Sequence, residues 1–461
     1  MDENTGTRTA GSCLVIGNSN VARHVEASLV SMGFVVRVLL TPDDSALDQA
    51  FRVQYDRIAV VTHDDVLALR YALSAAHVHP STPMIVTVFD RTIATRLREI
   101  LPHSLVTSPA DLAAPILAGA CIAADLLAVG HNDDGHSFGV RDAHRGPEVG
   151  PVADLRRPLW RSMAVRSSGL FRTPDTGTRM LVWGLLGVVG IIVADFLWLV
   201  LGKRSTADMA LLDAVKVVTT VGPAPEAHGG YATVSAVAML VTVLLTAMVT
   251  AGVVDRILGP RLVGLVGSRV LPRSGHVIVV GLGQVGLRLC RELTAFGVDV
   301  VGVERNPSAA GLRLTRALGI PAVVVGHGDD RRLLERVGIR RALAVAVVGS
   351  EDSDNIATAV VAQAVAPDVR VVLRAGEHSA LSDTGSLLPL GVVRDVSMLS
   401  AAYVVAWIVG ENPRSVVSDG HTLWIQDARG KFVPFSEMVE SHCTRTVSEG
   451  HLLVGVALEE K

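Results

Sequence analysis

Residues 275–307 read GHVIVVGLGQVGLRLCRELTAFGVDVVGVERNP. A short β-branched run leads into Gly-Leu-Gly-Gln-Val-Gly, a helical stretch follows, and a second apolar run ends at Glu304. Gly281, Gly283 and Gly286 form G-x-G-x-x-G, and Glu304 stands 18 residues beyond the last of them. The turn follows a strand and opens a helix, the context in which this motif binds dinucleotides. Glycine keeps Cβ atoms out of the path of a diphosphate, and the helix N-terminus adds N–H donors and positive potential. Glu304 is placed to accept from ribose hydroxyls and would repel a 2′-phosphate. The expected site is Gly281, Leu282, Gly283, Gln284, Val285, Gly286, Glu304 and Arg305. Its expected occupant is NAD or NADH, with ATP or ADP as the alternative.

Beyond Glu304 the chain continues through Gly326-His327-Gly328-Asp329, an apolar run at 342–348, and Gly349 before GSEDSDN and another helix. His327 and Gly349 extend the expected site. Glu351, Asp352 and Asp354 are read as a solvated acidic loop, and no metal site is assigned. A second α/β segment lies upstream at 11–125. Its strands are expected at 13–17, 34–40, 57–61, 84–88 and 104–107, with helices such as 65–76 and 91–101 between them. Short apolar strands alternating with helices indicate a parallel sheet.

The two segments align without a gap over 11–43 and 275–307, an offset of 264. Gly11, Gly17, Val21, Leu29 and Gly33 fall on Gly275, Gly281, Val285, Leu293 and Gly297. The chemistry does not carry over: Ser19 replaces Gly283, Ala22 replaces Gly286, and Leu40 replaces Glu304. The first copy also has too little chain between Leu40 and Arg57 for one strand-helix unit. It is expected to bind no nucleotide and to serve as a scaffold.

Between the copies lie two apolar runs, 180–201 and 231–254, each long enough to cross a bilayer core as a helix of about 20 residues. The first carries one charge, Asp195, and the second none. Between them a helix-like segment runs into Thr219-Thr220-Val221-Gly222 and breaks at Pro223 and Pro225. Arg156, Arg157, Arg161, Arg166, Arg172 and Arg179 precede the first run, and Arg256, Arg261, Arg269 and Arg273 follow the second. The positive-inside rule then places both flanks, and both termini, in the cytoplasm. Residues 126–178, rich in Gly, Pro, His and charge, read as a basic linker. The whole chain is 49% hydrophobic with net charge −3, so composition suggests no bulk attraction to nucleic acid. Its four widely separated cysteines match no zinc or disulfide spacing.

A span, a short re-entrant helix, a TTVG turn and a second span together resemble the pore module of the potassium-channel superfamily. The order of elements from 275 onward resembles the RCK domain, a TrkA-type nucleotide-binding regulator of potassium channels and transporters. The resemblance implies α/β Rossmann-like (RCK) domains flanking a two-helix transmembrane pore module with a re-entrant pore helix. The expected division is 1–125, a degenerate RCK-like domain; 126–178, the linker; 179–256, the pore module, with its pore helix and filter-like turn at 206–225; 272–400, the nucleotide-binding RCK domain; and 401–461, a small C-terminal subdomain. It further implies a multi-pass protein of the cell membrane and a homo-oligomer, in the family a tetramer. Thr219, Thr220, Val221, Gly222 and Pro223 would line the path of a monovalent or divalent cation. The family continues after TTVG as Tyr-Gly-Asp, where this chain has Pro223, Ala224 and Pro225. The expected function is a ligand-gated cation channel with poor potassium selectivity. A membrane-anchored nucleotide sensor without an ion pathway, regulating a partner transporter, is the alternative. No hydride-transfer set accompanies the glycine-rich turn, so no enzymatic activity is expected.

Overall fold

The computed structural model describes residues 11–132, 134–143, 146–152, 176–203, 206–218, 230–258, 272, 274–318, 320, 322–376 and 390–448. The first half alternates β1 (Ser12–Ile16), α1 (Asn20–Ser31), β2 (Val35–Leu39), α2 (Asp44–Phe51), β3 (Arg57–Val60), α3 (Asp65–Val78), β4 (Met84–Thr87), α4 (Arg91–Ile100), β5 (Ser104–Thr107) and α5 (Pro109–Ile122). Aspartates at 43, 64 and 90 cap α2, α3 and α4 by accepting from backbone N–H groups of the first turn. The strands form a parallel sheet in the order β2-β1-β3-β4-β5, each within a residue or so of its place in the sequence reading.

Three antiparallel strands follow: β6 (Leu126–His131), β7 (Ser137–Ala143) and β8 (Gly146–Pro151). This corrects the reading of 126–178 as a linker throughout. Leu126, Leu127, Ala128, Val129 and Val140 are buried. Glycines and histidines within the strands hid that pattern. Gly130 and Gly139 have no side chain because Phe138, Leu126 and Val152 already occupy the space a Cβ would need. Residues 153–175 lie outside the described residues.

The middle of the chain holds α6 (Thr176–Lys203), α7 (Ala207–Val218) and α8 (Gly230–Leu258). They form a compact unit of their own. Helix α6 packs along α8, and α7 packs against both. The α6–α8 contact uses glycines. A Cβ on Gly184 would stand 2.8 Å from Val249 Cγ2, and one on Gly187 would stand 2.7 Å from Leu245 Cδ2. Small residues let apolar helices approach this closely. Among the described residues one stretch, Trp183–Leu201, is long and apolar enough to cross a membrane, and the stretch Ala236–Ala251 on α8 is shorter. The filter-like residues Thr219, Thr220, Val221, Gly222 and Pro223 lie outside the described residues.

The second half comprises β9 (Val277–Val280), α9 (Gln284–Ala295), β10 (Val300–Glu304), α10 (Ala310–Ala317), β11 (Ala322–Val325), α11 (Arg331–Arg336), β12 (Ala344–Val347), α12 (Asp352–Val365), β13 (Arg370–Ala375), β14 (Val392–Asp395) and α13 (Val396–Ile408). A three-stranded sheet, β15 (Ser415–Ser418), β16 (Leu423–Gln426) and β17 (Phe432–Pro434), and α14 (Phe435–Ser448) end it. The parallel sheet has the order β11-β10-β9-β12-β13-β14, that of a Rossmann fold. The first sheet has the same order without a counterpart of β11, as the short Leu40–Arg57 interval requires.

The two halves form one compact unit because they exchange a helix. Helix α5 leaves the first sheet and packs on α9 and on β12, β13 and β14. Ala113, Leu117 and Cys121 thus join a core with Val279, Leu289, Ala346 and Val372. Helix α13 does the reverse, packing on α1 and burying Leu399, Ala402 and Val405 with Val15, Val25 and Ala59. Both helices are buried almost all round, which a helix shared by two layers must be. Burial pushes the Cys13 and Cys121 thiols up to about 12, so both stay protonated and unreactive.

Two outcomes follow from this packing. Leu117→Ala should destabilise the protein by about 2–5 kcal/mol and should lower hydrogen-exchange protection in β12 and β13, although residue 117 belongs to the first half. Gly187→Leu should strain the α6–α8 contact by about 1–3 kcal/mol, read as a lower unfolding temperature in detergent.

Candidate functional site

The glycine-rich turn has three different glycine requirements. Gly281 has φ +93°, in the region that favours glycine, and a Cβ there would meet Gly349 N at 2.8 Å. Gly283 has nothing within 4 Å of its missing Cβ. It faces open space, as a position that must admit a ligand should. Gly286 differs: its Cβ would stand 1.9 Å from the Gly281 carbonyl oxygen. It holds helix to turn rather than clearing the ligand's path, which corrects the role expected of it.

Gly283 is the N-cap of α9 and has no side chain with which to accept from the first turn. The corresponding position in the first copy is Ser19. Its hydroxyl accepts from Ala22 N–H and donates to the Val61 carbonyl. In the first copy the helix N-terminus is therefore capped from within. In the second its orphan N–H groups are left for an external acceptor.

Glu304 ends β10 beside this turn. Its Oε2 accepts from Leu282 N–H at 2.8 Å and its Oε1 from Asn306 N–H at 3.0 Å. Each oxygen keeps a lone pair for a hydroxyl. Arg305 Nη1 reaches Asp354 Oδ2 at 2.7 Å, from the end of β10 to the first turn of α12. Both side chains are more than half exposed, so the pair is easily opened.

These groups surround a cavity of about 890 Å³. Of the expected site residues, Gly281, Leu282, Gly283, Gln284, Val285, Glu304, Arg305, His327 and Gly349 line it, and Gly286 lies behind them. Asn355 and Arg374 also line it and were not singled out from the sequence. Asn355 is buried and donates to the Gly349 and Arg374 carbonyls, so it holds the loop after β12 to the end of β13. A lone Asn in an Ala- and Val-rich helix was the available signal. Glu351 and Asp354 are exposed, whereas Asp352 is buried, which corrects the solvated-loop reading at that one residue. Among the described residues no group of three or more His, Cys, Asp or Glu could hold a metal.

Three residues of the first half, His63, Asp65 and Phe89, line the same cavity. The first copy is therefore more than a scaffold. Arg288, on the second turn of α9 and buried, ties the halves together here. It donates to Asp111 Oδ1 and to the Phe89 carbonyl, both at 2.5 Å, and to Gln284 Oε1 at 2.8 Å.

Residues 277–384 match the TrkA-N domain model. A voltage-gated potassium channel, Kch, of Escherichia coli strain K12 is 27% identical over 175 residues, 36% of this chain and 39% of that protein. An uncharacterized protein of Methanothermus fervidus is 27% identical over 114 residues, 25% of this chain and 18% of its own length. The chain thus spans well under half the length of these relatives. Among solved structures, the GsuK channel is 16% identical with a TM-score of 0.49, over 89% of this chain and 67% of that one.

The glycines separate binding from folding. Gly283→Ala should leave the unfolding temperature unchanged while putting a methyl group into the cavity and weakening nucleotide binding at least about tenfold, on the order of 1.4 kcal/mol. Gly286→Ala should damage both, because a backbone carbonyl stands in the way. Calorimetric titration beside thermal melts of the two variants checks the contrast.

Proposed function

We propose that this chain is a subunit of a nucleotide-regulated cation channel of the cell membrane, with the nucleotide held by the second half. The observation that carries the reading is the uncapped helix N-terminus at Gly283, open to a large cavity with Glu304 beside it. The diphosphate of NAD fits the N–H groups that follow Gly283, and the ribose hydroxyls fit the free lone pairs of Glu304. ATP or ADP could use the same groups. Support also comes from the TrkA-N match over 277–384 and from likeness to a protein named as a voltage-gated potassium channel. The nucleotide is a regulator in this reading and is not turned over.

In the same proposal the segments 180–201 and 231–254 cross the membrane, both termini are cytoplasmic, and four chains surround one pore. Thr219 to Pro223 would line it. Pro223 and Pro225 lack N–H groups and have fixed φ. They cannot reproduce the outer carbonyl rings of a potassium filter, so discrimination between potassium and sodium is weak. The prolines also favour a second reading, a membrane-anchored nucleotide sensor that regulates a partner transporter without conducting.

Purified protein in liposomes decides between them. The channel reading expects cation flux that changes when NAD is added, with a bi-ionic reversal potential near zero for potassium against sodium. Nucleotide binding without flux would leave the sensor reading, and a strongly potassium-selective potential would refute the filter argument. NAD should bind at least about tenfold more tightly than its 2′-phosphorylated form, a difference of about 1.4 kcal/mol. Glu304→Gln should narrow that ratio in calorimetry by removing the charge that repels the extra phosphate.

A further inference from the structure

The first half does not keep the G-x-G-x-x-G turn yet lends side chains to the cavity of the second. Glu304 closes β10 on one side of the central strand β9, while Gly349 and Asn355 follow β12 on its other side. Helix α5 lies over α9 and β12 to β14, so the first half stands on the side away from Glu304. A ribose at Glu304 fixes the adenosine half of a dinucleotide at the β10 side. The part beyond the diphosphate then points toward β12 and the first half.

What it meets there is a pair of rings. His63 and Phe89 follow β3 and β4, and their rings stack with centroids 6.1 Å apart and planes at 20°. Both line the cavity, His63 exposed and Phe89 half-buried. The Phe89 backbone is fixed from both sides. Asp65 accepts from Phe89 N–H at 2.8 Å and from Asp90 N–H at 2.6 Å, and the Phe89 carbonyl accepts from Arg288. These bonds use only the backbone of Phe89, so its ring can be removed without breaking them. At about 890 Å³ the cavity is near the upper end of the roughly 300–1,000 Å³ usual for small-molecule sites.

We propose that the His63–Phe89 ring pair of the first half is a stacking surface for the planar base at the far end of the dinucleotide, so that a dinucleotide is contacted by both halves and a mononucleotide by the second half alone. The inference rests on the nucleotide-binding reading above. Aromatic stacking of a base has a size that alanine substitution measures, about tenfold in affinity.

The test is calorimetry on the full-length protein in detergent, with NAD and ADP as paired probes. Phe89→Ala combined with His63→Ala should weaken NAD binding about tenfold and leave ADP binding within about twofold. Phe89→Tyr, which keeps a ring, should retain NAD binding and guards against a folding effect. Equal losses for both probes would make the rings structural, and no loss for either would remove them from the site; each result overturns the inference while nucleotide binding stands. Failure of both probes to bind the unaltered protein would overturn the nucleotide-binding reading and this inference together.

Discussion

A parallel sheet must be covered on both faces, because its βαβ connections bury both. Neither half of this chain can do so alone. Each half covers its sheet partly with a helix of the other: α5 lies over β12 to β14, and α13 packs against α1 and shares a core with the strands beside it. The exchange buries alanine-rich, mostly apolar helices that have little polar surface to offer water. It follows that the halves cannot separate without exposing both cores. It follows also that the loops after β3 and β4 stand beside the glycine-rich turn of the other half.

The two copies share one pattern and differ at the helix N-terminus. Ser19 caps α1 by accepting from Ala22 N–H and ties it to the Val61 carbonyl. Gly283 offers no cap, and the unmet N–H groups of α9 face the cavity. A cap is worth about 0.5–2 kcal/mol to a helix. The second copy forgoes that stability where a ligand can supply it instead. The missing strand-helix unit between Leu40 and Arg57 removes the adenosine side of the first copy as well.

Much of this was legible in the chain. Strand positions followed from apolar runs of four to six residues bounded by glycine and polar residues. The glycine-rich turn and Glu304 announced their own geometry. Three things were not legible. The strands of 126–151 carry glycine where neighbouring side chains fill the space, so their alternation is broken. The helix exchange cannot be read because periodicity gives the apolar face of a helix but not the surface that covers it, and beyond Asp111 α5 is apolar on every face. His63, Asp65 and Phe89 were invisible as site residues since each follows a strand of the copy that has no ligand motif. Gly286 was recognised and given the wrong task, because a motif lists which glycines are needed and not whether each clears a ligand or a backbone atom.

A ligand moves a protein only through groups whose energies differ between its states. At this site those groups are few and connected. An anion at Gly283 acts on the first turn of α9, where Gln284 faces the cavity and accepts from Arg288. Arg288 is buried and holds Asp111 on the exchanged helix and the Phe89 carbonyl beside the ring pair. A shift of α9 by a fraction of an ångström strains charge-assisted hydrogen bonds that are already short, and these are among the stronger bonds a protein makes. The first half therefore meets such a shift at two points, the loop that follows β4 and the helix α5. Because α5 is also part of the core under β12 to β14, it cannot yield independently of the second sheet. A displacement at the glycine-rich turn would therefore load the junction of the two halves through these bonds.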